Sequence, residues 1–212
     1  TLAKLHSFNH EKLGLSDYGK PGDYFARQIS RWSKQYVASE TQKIPEMDRL
    51  MVWLAANIPA DDSVSLVHGD YHFGNIMFHP TEPRVVAVLD WEISTIGNPL
   101  GDLTYHIMPW RMPGEGVSGA AASFSTLDLK SLGIPTLEDY LAVYCRLTGR
   151  ARIENLDFYT SYNLFRLGCI LQGIVGRVRD GTAASPHAAE MEARVRPLGE
   201  AAWLYAQKAG AQ

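Results

Sequence analysis

Apolar residues recur with helical spacing over residues 24 to 38, where Phe25, Ile29, Trp32 and Tyr36 fall at i, i+4, i+7 and i+11 on one face of a 3.6-residue period. A second helix is predicted after Pro45, whose fixed φ suits the first helical position; its face is Met47, Leu50, Met51 and Leu54, and Pro59 ends it. The texture then changes. Val64–Val67, Asn75–Phe78 and Val85–Leu89 are short apolar runs bounded by Gly, Pro, His or Asp, which is the grammar of strands and turns. From about Arg111 to Leu132, Gly, Ala and Ser predict a loop with at most a short helical turn. Thr136 reads as an N-cap with Glu138 and Asp139 in the first turn, opening a helix with Leu137, Leu141, Tyr144 and Thr148 on one face. A long helix is predicted over about 157–179; its apolar residues (Leu164, Leu167, Ile170, Leu171, Ile174, Val178) wrap so much of the surface that it is expected to be central and buried. Ser185-Pro186 reads as the cap and first residue of a last helix, kinked at Pro197. The fold class predicted is α+β, mostly helical, with a small β region between flanking helices.

That β region holds the chemistry. In Leu66-Val67-His68-Gly69-Asp70-Tyr71-His72-Phe73-Gly74-Asn75, Asp70 and Asn75 stand five apart on a loop between two short strands, and Asp90 follows the next strand. Phosphoryl transfer needs such a set: a carboxylate to orient the attacking hydroxyl and accept its proton, and a carboxylate and an amide oxygen to hold Mg²⁺ against nucleotide phosphates. Mg²⁺ takes few protein oxygens beside phosphate and water, so two protein ligands suffice. The protein-kinase catalytic loop H-R-D-x-x-x-x-N has the same Asp-to-Asn spacing; Gly69 stands where its Arg would be.

Composition narrows the classes. The chain has 212 residues, 46% hydrophobic and 20% charged, an ordinary globular balance with enough apolar content for a sizeable core. A net charge of −3 without long runs of one sign argues against a nucleic-acid partner, which would need a basic face. No apolar stretch is long enough to span a membrane, and no signal peptide is visible. Cys145 and Cys169 lack metal-ligand spacing and read as buried free thiols of a cytoplasmic protein.

The strings His68-Gly69-Asp70 through Asn75, and Val88-Leu89-Asp90-Trp91-Glu92, resemble the aminoglycoside phosphotransferase and choline kinase superfamily. The continuation Ser94-Thr95-Ile96-Gly97-Asn98-Pro99-Leu100-Gly101-Asp102-Leu103 is most similar to the phosphotransferase-like domains fused to acyl-CoA dehydrogenases and to their stand-alone bacterial relatives. Leu2-Ala3-Lys4-Leu5-His6, Tyr24–Tyr36 and Phe165–Gly176 fit the same group, so the resemblance covers nearly the whole chain.

The resemblance implies a protein-kinase-like fold, with residues 1–212 as its catalytic, C-terminal lobe. It implies ATP- and Mg²⁺-dependent transfer to a small-molecule hydroxyl, a hydroxyacyl-CoA or hydroxy acid rather than an aminoglycoside. Asp70 would be the base, Asn75 and Asp90 the metal ligands, and Asp102 and His68 supports of the catalytic loop. Met77 and Leu89 would floor an adenine pocket. Two departures stand out: Asn98 replaces a common Asp, and no Gly-rich phosphate loop or Val-Ala-Ile-Lys-like strand precedes the catalytic loop. With the abrupt opening at Thr1, this implies an N-terminal lobe elsewhere on the same polypeptide, and a fragment inactive alone.

Blander roles are expected for the remaining polar and aromatic residues. His72 and His79 read as solvated loop residues, Trp32, Trp53 and Trp203 as core anchors, and Arg166, Arg177 and Arg179 as a solvated or salt-bridged helix face. A binding module that holds nucleotide or acyl-CoA without turnover is the rival reading, disfavoured because all three oxygen-bearing residues are present. Metal-dependent hydrolysis is a third, and lacks a second His or carboxylate at ligand spacing.

Overall fold

The computed structural model describes residues 1–112, 123–183 and 188–212. Contacts divide them into two compact units, Thr1–Tyr24 with Asp61–Glu154, and Phe25–Ala60 with Asn155–Gln212. Of the described residues, 53% are helical.

The second unit is all helix: α2 (Tyr24–Ser39, all but its first residue), α3 (Pro45–Ala56), α7 (Leu156–Arg179) and α8 (Glu192–Lys208). As the wrapped apolar pattern predicts, α7 is buried almost from end to end, and α3 and α8 pack on it. Phe25 makes an edge contact with Tyr162, and Trp53 lies 5.8 Å from Phe158. Two buried side chains are bonded across helices: Ser161 Oγ donates to Ala202 O (2.8 Å) and Gln172 Nε2 to Ser39 O (2.7 Å), which offsets part of the cost of removing them from water. Arg166 departs from the expected solvated face. It is 5% exposed, with its guanidinium 5.5 Å from the Trp32 ring, because α7 offers no solvent-facing side at that turn. Ser185 and Pro186, expected to open the last helix, lie outside the described residues; α8 follows a 3-10 turn at Ala188–Met191 and carries Pro197 inside it.

The first unit carries α1 (Leu2–His6), β1 (Ser65–Val67), β2 (Ile76–Phe78), β3 (Val85–Val88), β4 (Thr95–Gly97), α4 (Pro99–His106), α5 (Met108–Arg111) and α6 (Leu137–Thr148). The β region is two separate antiparallel pairs. β1 pairs with β4 in the register Leu66↔Ile96, and β2 with β3 in the register Ile76↔Val88. β4 was hidden in the sequence, since three residues ending in Gly carry no alternation to read. Asn98 caps α4, its side chain accepting from the Leu100 N–H, and Pro99 takes the first helical position. Asp102 lies inside α4, in its first turn. Thr136 caps α6 by accepting from the Asp139 N–H, as its position predicts. The predicted loop after Arg111 includes residues 113–122, which lie outside the described residues; α5 runs through Arg111 itself. Among the described residues, no helix is long and apolar enough to cross a membrane. Both cysteines are free and buried.

Candidate active site

Two segments cross between the small sheets. Residues 68–75 run from β1 to β2, and residues 89–94 run back from β3 to β4. They lie side by side, and the polar residues singled out in the sequence sit where they touch.

The outward segment is riveted by buried groups. Asp102, 1% exposed, accepts the His68 N–H on Oδ2 (2.6 Å) and the Gly69 N–H on Oδ1 (2.8 Å). A carboxylate that takes two backbone donors satisfies amides that would otherwise be buried unpaired, and fixes the path of the loop. His6 Nε2 lies 3.3 Å from Asp102 Oδ2, and its Nδ1 is 2.7 Å from the Tyr144 hydroxyl. The support of the loop therefore extends from α4 to α1 and α6. His68 is fully buried. Its Nδ1 accepts the Asp70 N–H (3.2 Å), so the ring proton is on Nε2, which donates to Leu89 O (2.8 Å) and ties the outward segment to the returning one. Gly69 has φ +85°, and a Cβ there would come 2.6 Å from Ile93 O. No side chain fits where the returning segment passes.

Asn75 faces Asp70. Its Nδ2 donates to Asp70 Oδ2 (3.1 Å) and to Asp70 O (3.0 Å). With the amide nitrogen so committed, the carbonyl oxygen is the group left to accept, or to bind a cation. The Leu89 N–H donates to Asn75 O (2.8 Å), which extends the β2–β3 pairing by one step and sets Asp90 just past the paired end. Asp90 is exposed and left-handed, φ 64°, a conformation Asp tolerates better than most residues. No group of three or more His, Cys, Asp or Glu stands at metal-binding distance among the described residues. A hard-oxygen pair of amide and carboxylate nonetheless suits Mg²⁺, whose remaining positions go to phosphate and water. Met77 and Leu89 are 48% and 44% exposed, an uncovered apolar pair at the β2–β3 edge.

Beside Asp70 opens a pocket of about 430 Å³ lined by His72, Phe73, Gly74, Trp110, Phe124 and Tyr140, with Pro109, Gly133, Ile134 and Pro135. Its aromatic walls support one another: Trp110 meets Phe124 edge-on at 4.9 Å and lies 5.4 Å from Tyr140, and its Nε1 donates to Pro135 O. Behind them is His106, 4% exposed, with its ring 4.7 Å from Phe73 and 5.3 Å from Tyr140, and no hydrogen-bond partner on Nδ1 among the described residues. Desolvation pushes its pKa down to about 4, so it is neutral near pH 7. Burial likewise pushes Tyr140 up. No acidic side chain lines the pocket among the described residues.

The structure thus brings Asp70, Asn75, His68 and Asp102 into one hydrogen-bonded group and sets Asp90 one residue beyond it. Sequence reading missed His6, which meets Asp102 across a separation of 96 residues, and Tyr144, which meets His6 across 138. It also missed the pocket aromatics, which no local pattern distinguishes from core. His72 was read as solvated and is instead half-buried, capping the 3-10 turn at Phe73–Asn75. The signal was present: a polar residue two positions before a glycine, at the entry to a turn.

A kinase-like fold with Asp70 and Asn75 bonded on one loop, Asp90 on the neighbouring segment and a supporting buried acid is that of a phosphotransferase of the aminoglycoside phosphotransferase type. Residues 1–154 match the model of the phosphotransferase enzyme family, and the chain belongs to it. It is similar to a solved structure from Ralstonia eutropha jmp134, described as a candidate aminoglycoside phosphotransferase, with TM-score 0.90 and 50% identity over 98% of this chain and 62% of that one. It is 39% identical over 209 residues to mouse acyl-CoA dehydrogenase family member 10 and 40% identical over 202 residues to human acyl-CoA dehydrogenase family member 11. The alignments cover 99% and 94% of the chain but only 19% and 25% of those relatives, so the chain spans a quarter or less of their length.

Proposed function

We propose that this chain supplies the catalytic lobe for ATP- and Mg²⁺-dependent phosphorylation of a hydroxyl on an apolar small molecule, of the hydroxyacyl-CoA or hydroxy-acid kind. The observation that carries the reading is the Asp70 carboxylate, fixed by Asn75 and the Asp102-anchored loop, 3.5 Å from the ring of His72, which lines an aromatic pocket. Asp70 orients the acceptor hydroxyl and takes its proton as the new bond from that oxygen to the γ-phosphorus forms and the bond from the γ-phosphorus to the departing ADP oxygen breaks. Asn75 Oδ1 and the Asp90 carboxylate would hold Mg²⁺, which when bound draws the nucleotide phosphates together and offsets their charge. Met77 and Leu89 offer apolar surface for an adenine ring. The pocket favours an acyl-like acceptor over a polycation: its aromatic walls stabilise apolar surface, and no carboxylate lines them among the described residues.

The test uses the intact polypeptide with Mg·ATP and a panel of hydroxyacyl-CoAs, amino alcohols and aminoglycosides, with Asp70→Asn as control. Transfer to a hydroxyacyl-CoA, reduced at least 100-fold in the variant, is expected from the contribution of a positioned base, about 10²–10⁴. An undiminished rate in Asp70→Asn would sink the base assignment. ATP binding with no transfer to any acceptor would favour the binding-module reading.

A further inference from the structure

His72 has a place in this site that the catalytic set above does not explain. Its Nδ1 accepts the Gly74 N–H at 3.0 Å. An imidazole nitrogen that accepts a hydrogen bond carries no proton, so the ring proton is on Nε2. That Nε2 lies 3.5 Å from Asp70 Oδ2. The ring is held in this pose from two further sides. Tyr105, 3% exposed, meets it edge-on at 6.0 Å, and Gly74 lies so close beneath it that a Cβ would come 2.7 Å from Cε1. The same ring lines the aromatic pocket.

Asp70 Oδ2 is thus faced by two donors, Asn75 Nδ2 at 3.1 Å and His72 Nε2–H. The terminal torsion of an aspartate is broad, and two donors on one oxygen restrain it. We infer that His72 is a positioning residue: as its Nε2–H tautomer it holds the Asp70 carboxylate turned toward a hydroxyl entering from the aromatic pocket. The inference rests on the proposed role of Asp70 as base. The 3.5 Å separation is long for a hydrogen bond, as catalytic contacts are before substrate binds, and the inference requires that it shorten when the acceptor is bound.

The imidazole's two functions separate by substitution. Asn reproduces the Nδ1 position, so His72→Asn keeps the cap on Gly74 and loses the reach to Asp70. Gln reproduces the Nε2 position, so His72→Gln keeps the donor and loses the cap. On the intact polypeptide with Mg·ATP, transfer is followed to whichever panel acceptor turns over best, or to water if none does. His72→Asn is expected to lower kcat roughly tenfold, the effect of one orienting hydrogen bond, at unchanged KM for ATP and unchanged Tm. His72→Gln is expected to keep kcat within about threefold while Tm falls with the lost cap. Long-range ¹H–¹⁵N correlation spectra of the ¹⁵N-histidine-labelled protein, with His72→Asn giving the assignment, are expected to show His72 protonated on Nε2. A ring protonated on Nδ1, or a full rate in His72→Asn beside an inactive Asp70→Asn, overturns the role of His72 alone. A full rate in Asp70→Asn overturns it together with the base assignment, whatever the spectrum shows.

Discussion

The long helix α7 and the loop at residues 68–75 are held by different physics. Along α7 the chain is regular, and its order comes from apolar area removed from water: Leu164 and Phe165 are fully buried, and the helix would persist through many conservative changes of similar volume. Residues 68–75 contain one 3-10 turn and no longer element, and are shaped by hydrogen bonds to a few atoms: two Asp102 oxygens, two His68 nitrogens, one Asn75 amide. The first region is specified by volume and the second by geometry. Volume is distributed over many contacts, whereas a geometric rivet is a single point of failure.

The contrast can be broken by exchanging the expected penalties. Phe165→Ala should destabilise the protein by about 3–5 kcal/mol, the usual cost of emptying an aromatic site, while the folded fraction keeps its kcat; denaturant unfolding with rates normalised to folded protein checks both halves. Asp102→Ala should cost about 2–4 kcal/mol, since it leaves the His68 and Gly69 N–H groups buried and unpaired, but should also lower kcat in fully folded protein because the loop loses its path. Equal kcat in both folded variants would erase the distinction.

His106 sharpens the comparison through pH. Its folded pKa of about 4 lies below the ordinary value near 6.5, so between those limits the unfolded chain binds a proton that the native state does not. Its contribution is complete above about pH 6.5 and is lost as pH falls toward 4, on the order of 3 kcal/mol in all. His106→Phe, which keeps a ring in the aromatic wall, should flatten this slope; unfolding free energies of the two proteins at pH 7 and pH 4.5 give the difference. The smallest effect is expected at Val52, 73% exposed on α3: Val52→Ser should change stability by less than about 0.5 kcal/mol.

The same distinction decides what was legible in the sequence. Helices announce themselves by period, so α2, α3, α6 and α7 could be drawn to within a residue or two from Phe25–Tyr36, the Pro45 start, the Thr136 cap and the wrapped apolar run. Asp70, Asn75 and Asp90 could be singled out because phosphoryl transfer asks for oxygen-bearing residues at a fixed spacing, and the structure brings the first two into hydrogen-bond contact. The rest of the site is built across the chain. His6 reaches Asp102 over 96 positions and Tyr144 over 138, and no local pattern encodes such meetings. Phe73, Trp110, Phe124 and Tyr140 looked like core because, by composition, a pocket wall is core with one side missing.

Gly69 has a consequence for control. In protein kinases the residue before the catalytic Asp is the arginine of H-R-D, and activation loops are ordered through arginine–phosphate pairs. Here that position is left-handed and pressed against Ile93 O, with no room for even a methyl group. A cation cannot be installed there by a point mutation without displacing the returning segment that ends in β4. The catalytic loop is therefore closed at this position to a phosphate read by its own arginine, and its shape is set instead by a permanent internal carboxylate, Asp102. In place of a switch the fold has a built-in anion, which holds the loop in one geometry whether or not any kinase has visited.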